Sequence, residues 1–183
     1  MNRGQRGGQG LQQGNQGGFA QGQAAVGRGS APNSEIDLIR MWEEEKLARD
    51  VYTQLAKSTG MTVFRNISRS ENQHMQALAR TIRSQGAMQN QLNDSPGVFR
   101  FQDYQQLYRT LVADGSRGPM EALKVGAKIE EMDIADLQRS IAATNDRQMN
   151  QVLQRLMQGS HHHLRAFSSQ ISAQGGNYQA QFL

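Results

Sequence analysis

Residues 70–74 read SENQH, and the fold turns on why Glu71 and His74 stand where they do. The surrounding stretch, about 63–84, otherwise reads as a plain amphipathic helix with Ile67, Leu78 and Ile82 along one face. Glu71 and His74 fall on that same face, one helical turn apart. A carboxylate and an imidazole set into an apolar stripe are expensive to bury unless something compensates them. The other three histidines lie together far downstream, at 161–163, so the compensation has to come from other segments.

Those segments are helical too. A first helix is expected from Ser34, with Asp37 in its first turn, to about Lys57, where Gly60 offers a C-cap. After Gly86 the composition changes: AMQNQLNDSPGVFRF has turn chemistry, and DYQQLYRTLVADG predicts a short helix with Tyr104, Leu107, Tyr108 and Leu111 on one side. A third long helix begins near Pro119 and runs to about Ala143. Asn145 or Asp146 then caps a fourth, which runs to about Ile171. No strand-like alternation of any length is present. Two helical hairpins joined by a connection of 31 residues, 87–117, match a four-helix bundle with one long crossover, in which the second and third long helices run parallel.

Each long helix carries an inward stripe, and each stripe is interrupted near its middle. The first gives Leu38, Met41, Glu45, Ala48, Tyr52 and Leu55; the third gives Leu123, Ala127, Glu130, Ile134 and Leu137. The fourth gives Val152, Leu156, Ser160, His163 and Phe167. Midpoints of antiparallel helices meet at one level, so Glu45, Glu71, His74, Glu130 and His163 are expected to converge in the core. Taken singly these signals are ordinary. Glu45 sits in EEEK, a run that usually marks a solvated face, and of the neighbours Glu130 and Glu131 at most one faces inward. Together they predict a metal site, because divalent cations offset the repulsion among buried carboxylates. Tyr52 shares the Glu45 stripe and reads either as a core tyrosine or as a group acting on the site; Trp42 lies off the stripe and reads as packing.

Composition bounds the rest. Residues 1–33 hold three Arg, no acidic residue and mostly Gly, Gln and Ala, so they are expected to be a disordered tail. Without those three charges the remainder has 17 basic and 16 acidic residues, so the net charge of +4 is largely the tail's. A nearly neutral domain does not favour nucleic acid as a partner, and RGQRGGQG is a thin signal for single-strand binding. Absence of cysteine excludes disulfides, thiolate metal sites and cysteine nucleophiles. No run reaches the roughly 20 apolar residues of a membrane span. The first residues lack the apolar region of a secretory signal, so a cytoplasmic protein is expected, with export open if translation starts elsewhere. The bundle is expected over 34–172, with a frayed end at 173–183.

With these residues in place, a family resemblance emerges. EKLARDVY (45–52) resembles the first-helix motif of rubrerythrins and ferritins, a ligand glutamate with tyrosine seven residues later, and SENQH is similar to their second-helix Glu-x-x-His. The stretch 37–167, with EEEKLARDVY, FRNISRSENQHM, ALKVGAKIEEMDIADL and GSHHHLRAF, closely resembles an uncharacterised prokaryotic ferritin-like family, a domain of unknown function. The resemblance implies an all-α, ferritin-like four-helix bundle whose long crossover contains a short extra helix. It implies Glu45, Glu71, His74, Glu130 and His163 as metal ligands, with Asp133 in the position of the extra acid that rubrerythrins carry. One departure stands out: where the di-iron pattern has a glutamate three before His163, this chain has Ser160.

The function expected from this is a di-iron carboxylate oxidoreductase, a ferroxidase or an oxygen- or peroxide-reducing protein, with two irons per chain or manganese in their place. Lacking cysteine, it has no cysteine-ligated iron of the rubrerythrin kind, so an external electron donor or iron(II) itself supplies electrons. A small homo-oligomer is expected. The alternative, favoured by Ser160, is a non-catalytic binding or scaffold protein with a lapsed or single-metal site.

Overall fold

The computed structural model describes residues 35–86 and 92–183, residues 35–37 by backbone alone. The Gly/Gln/Arg tail at 1–33 and the expected cap at Ser34 lie outside the described residues. Five α-helices follow in order: α1 Glu35–Thr59, α2 Thr62–Ser84, α3 Gln102–Gly115, α4 Pro119–Ala143 and α5 Arg147–Ala173. No strand occurs among the described residues. The protein is an all-α bundle of four long helices, with the shorter α3 in the connection between α2 and α4.

The helix ends follow local chemistry. Gly60 and Gly86 take φ of 71° and 76°, a left-handed conformation that ends α1 and α2 without the Cβ clash other residues meet. Pro119 opens α4, where its missing N–H would have had no partner. Asp146 caps α5, accepting from the amides of Gln148 at 2.8 Å and Met149 at 3.1 Å.

Contacts between helices set their directions. Glu45 meets His74 and Thr53 meets Ser68, so α1 and α2 are antiparallel. Ser70 meets His163 while the backbone at Gly159 lies against the His74 ring, so α2 and α5 are antiparallel. Glu130 meets His163 and Asp133 meets Ser160, which makes α4 antiparallel to α5. It follows that α2 runs parallel to α4, and α1 to α5. Only a connection running the length of the bundle produces that order, as the 87–117 segment led us to expect.

The apolar core is in two parts. One cluster includes Tyr52, Leu55, Phe64, Leu123 and Phe167; the other includes Leu38, Trp42, Leu78, Leu137 and Leu153. Along every long helix the switch from one cluster to the other falls at the same polar residues: Glu45 on α1, Glu71 and His74 on α2, Glu130 and Asp133 on α4, Ser160 and His163 on α5. A polar layer thus crosses the bundle between two hydrophobic halves.

Acidic residues beside this layer bind the connecting segments. Glu43 is buried and its two carboxylate oxygens accept from the amides of Arg100 at 2.7 Å and Phe101 at 3.1 Å. Lys46 is fully buried, bonded to Asp50 at 2.8 Å and to the Val98 carbonyl at 3.1 Å, with its ammonium 4.1 Å from the centre of the Phe99 ring. Asp50 also accepts from the Gly97 amide at 2.8 Å. EEEK is therefore not a solvated face: residues 97–101 lie over it. At the other end, residues 174–183, expected to fray, carry no helix and lie against α4, where the Tyr178 hydroxyl and the Gln181 amide both donate to Glu131 at 2.8 Å. That contact buries Glu131, so both neighbours Glu130 and Glu131 are covered, one by the bundle and one by the chain's end.

Candidate metal centre

Two groups of three side chains in the polar layer present donor atoms within 4.8 Å of one another: Glu45, Glu71 and His74, and Glu71, Glu130 and His163. Glu71 belongs to both and reaches each with a different oxygen. Its Oε2 lies 2.7 Å from His74 Nδ1, and its Oε1 lies 2.7 Å from His163 Nδ1. Glu45 Oε2 is 3.1 Å from His74 Nδ1, and Glu130 Oε2 is 3.4 Å from His163 Nδ1. The two imidazoles stack with centroids 5.6 Å apart. All five residues expected to converge do converge.

Their supports are specific. His163 Nε2 lies 3.0 Å from the Ser70 hydroxyl, which can accept its N–H and leave the Nδ1 lone pair for the centre. His74 turns its Nε2 edge to Gly159, where an added Cβ would stand 2.6 Å from that nitrogen. Only glycine leaves room for the ring. Tyr52, fully buried, donates to Glu130 Oε1 at 2.6 Å and packs among Phe64 and Phe167. The Ser160 hydroxyl is hydrogen-bonded with Asp133 and also lies 3.0 Å from the Leu156 carbonyl oxygen. Asp133 thereby stands apart: it lines the same cavity but belongs to neither three-residue group.

Sequence reasoning passed over Ser70 and Gly159. Ser70 adjoins Glu71 and Gly159 precedes Ser160, but their roles come from α5 and α2 respectively, and nothing in the local pattern announces them. Of the histidine run, only His163 enters the layer; His162 is exposed and contacts Arg165.

The electrostatics divide the carboxyls. Burial raises Glu45 to about 7, against the opposing pull of His74, and burial together with the Glu71 charge raises Glu130 to about 8. Burial acts on Glu71 in the same direction, yet the close approach of His163 and His74 and the charge of their rings outweigh it and bring the group down to about 2. Burial disfavours the charged rings of His74 and His163, but their carboxylate partners prevail and raise them to about 11 and 10. Asp133 and Glu44 are pushed well up, first by burial and then by neighbouring acids. Without a cation, then, Glu71 holds the negative charge, while burial and their neighbours push Glu45, Glu130, Asp133 and Glu44 toward their neutral forms.

One defect in this arrangement bears on metal binding. Glu71 Oε1 and His163 Nδ1 are buried and 2.7 Å apart, yet neither makes a hydrogen bond. Two such atoms left without alignment are costly. A cation taking a lone pair from each removes that cost, and the mixed carboxylate and imidazole set suits iron, manganese or zinc. The residues fit a metal. A cavity of about 970 Å³, lined by Glu45, Glu71, Glu130 and Asp133, connects this layer with the surface between α1, α3, α4 and the C-terminal residues Gln181 and Phe182.

The chain is 42% identical over 146 residues to uncharacterized protein MJ0754 of Methanocaldococcus jannaschii, covering 80% of this chain and 79% of that protein. The crystal structure of that hypothetical protein superposes with a TM-score of 0.80 at 39% identity, covering 86% of this chain and 91% of the other. The family model described as an uncharacterized protein domain, DUF2202, matches residues 35–183. The chain belongs to the DUF2202 family.

Proposed function

We propose that the protein is a ferritin-like metal protein whose centre, held by Glu45, Glu71, His74, Glu130 and His163, oxidises iron(II) with oxygen or peroxide. The observation that carries the reading is the pair of three-residue groups sharing Glu71, contributed by four helices at one level. Likeness of EKLARDVY and SENQH to rubrerythrin and ferritin motifs supports it, as does the parallel arrangement of α2 and α4. Two irons bound there would supply one electron each, matching the two-electron reduction of oxygen to peroxide or of peroxide to water.

The protein's own residues have distinct tasks in this reading. Glu71, common to both groups and held ionised between the two imidazoles, would serve both metal positions. Ser70 fixes the tautomer of His163, and Tyr52 orients Glu130 through its 2.6 Å bond. Three glutamates supply three negative charges toward two divalent cations. Asp133, hydrogen-bonded with Ser160 where the di-iron pattern has a glutamate, would supply the fourth. Since the chain has no cysteine, electrons come from iron(II) or an external donor. We further propose manganese as the alternative metal and a small homo-oligomer as the assembly.

The test is anaerobic loading of untagged protein with iron(II), then exposure to oxygen on an oxygen electrode. About two irons per chain and oxygen uptake above buffer are expected. Fewer than one iron per chain with no uptake sinks the oxidoreductase reading and leaves a binding or scaffold role on the same frame.

A further inference from the structure

The long helices share the molecule's charge unequally. Of the 17 basic residues that follow the tail, seven lie on α2 and α5: Arg65, Arg69, Arg80, Arg83, Arg147, Arg155 and Arg165, every one exposed. Of the 16 acidic residues only Glu71 lies on these two helices, and it is buried in the polar layer. Asp146, just before α5, is engaged by the amides it caps. The near neutrality of the whole domain therefore conceals two neighbouring helices whose solvent side carries arginine and no acid.

The arginines are in register. On α2 they fall along one stripe, opposite the core positions Phe64, Ile67, Leu78 and Ile82. The contacts of Ser70 with His163 and of His74 with Gly159 set α5 antiparallel beside it. That alignment brings Arg165 to the level of Arg69 and Arg155 to that of Arg80. Two arginine groups result, about 17 Å apart along the axis at a rise of about 1.5 Å per residue. Between them stand the exposed amides of Gln73, Gln76 and Gln158. Arg65 donates to the Gly60 carbonyl and the Thr62 hydroxyl, and Arg69 to Asn66. None of Arg65, Arg69, Arg80, Arg155 and Arg165 is ion-paired among the described residues, unlike Arg40, Arg49, Arg117 and Arg139.

Guanidinium and amide groups are the donors that phosphate and sugar oxygens accept from. Phe64 and Phe167 are the Phe, Tyr or Trp side chains of α2 and α5, and both are buried, so the face offers no platform for stacking unpaired bases. The exposed large hydrophobics among the described residues, Val98, Phe182 and Leu183, lie on other segments, so it lacks the apolar side that enters a membrane. Two charge groups about 17 Å apart suit the strands bordering a B-form major groove, about 12 Å wide, better than the narrow major groove of an RNA duplex. We propose that the α2–α5 face binds duplex DNA, without sequence preference, through phosphate contacts from Arg65, Arg69, Arg80, Arg155 and Arg165. This binding needs no metal and stands apart from the chemistry proposed for the centre.

Fluorescence anisotropy of a labelled mixed-sequence DNA duplex about three turns long, titrated with the full-length protein across a salt series, tests it. Log affinity should fall against log salt with a slope of about −4 to −5, as expected when about five phosphates are neutralised. An RNA duplex and a single DNA strand of equal length should bind more weakly. The triple variant Arg69→Gln, Arg80→Gln and Arg155→Gln should weaken duplex binding at least tenfold and make the slope shallower by about 2 to 3, with helical circular dichroism unchanged. Should that variant not fold, the three substitutions are made singly, each expected to make the slope shallower by about 1. A control with the same loss of charge from the α3–α4 side, Arg109→Gln, Arg117→Gln and Lys124→Gln, should stay close to wild type. Equal losses in the two triple variants would assign binding to net charge, and no loss in either would assign it to the N-terminal residues; both overturn the proposal. So does tighter binding of the RNA duplex or the single strand. Absence of duplex binding at low salt overturns it as well, whether the protein then binds anionic lipid vesicles or self-associates through this face.

Discussion

At the scale of single residues, the carboxylates of the polar layer are chemically distinct despite their proximity. Glu71 is ionised between two imidazoles, whereas Glu130 is held toward its neutral form. Glu71→Gln should therefore destabilise the metal-free protein and lower metal affinity by about 10- to 100-fold. Glu130→Gln keeps an acceptor for Tyr52 and should leave metal-free stability near wild type below about pH 8, while also weakening metal binding. Urea unfolding and metal titration of both variants check the contrast, and equal destabilisation by the two would refute it. Gly159→Ala addresses geometry instead: a Cβ 2.6 Å from His74 Nε2 must displace the ring. Metal affinity should fall about tenfold or more with the helical content unchanged, and unaltered affinity would show that His74 is not held from that side. The five converging residues were legible because each breaks an apolar stripe. Ser70 and Gly159 were not, since a hydroxyl beside a glutamate and a glycine in a helix acquire meaning only from the helix opposite.

At the scale of elements, the helices were legible nearly to the residue, because glycines, a proline and an aspartate cap mark their ends. The connection between α2 and α4 was legible as long but not as anchored. Periodicity reports which face meets other helices and is silent about a face covered by an irregular segment. This is why the EEEK run read as a solvated face, although residues 97–101 cover Glu43 and Lys46. Glu43→Ala leaves the amides of Arg100 and Phe101 without that acceptor. It should cost about 1–3 kcal/mol and speed hydrogen exchange at 97–101 ahead of the α1 and α2 cores. Exchange that stays protected there would mean the connection is held by its other contacts. Asp133 shows a different limit: the family resemblance, not the stripe, pointed to it, and only the structure reveals that Ser160 holds it.

At the scale of the whole molecule, the polar layer ties stability to pH. Glu45 and Glu130, raised from 4.5 to about 7 and 8, contribute stability below 4.5 and lose it as pH rises through those folded values. His74 and His163, raised from 6.5 to about 11 and 10, contribute fully below 6.5 and lose it as pH rises toward those values. Glu71 runs the other way, contributing above 4.5 and losing it as pH falls through about 2. Metal-free protein should therefore be most stable at about pH 5 and weaken steadily through pH 8. Metal displaces those protons, so loading should acidify an unbuffered solution and bind more tightly as pH rises. Urea midpoints from pH 4 to 9 and proton release on titration check both, and a stability that climbs from pH 5 to 8 would contradict them. The division of the layer also sets an order in time. The group Glu45, Glu71 and His74 lies wholly within the α1–α2 hairpin, whereas the other group waits for Glu130 on α4 and His163 on α5. A ribosome delivering this chain from its N-terminus completes one half of the centre while the other is still unmade. Glu71, which both groups share, thus meets its first partner before its second exists.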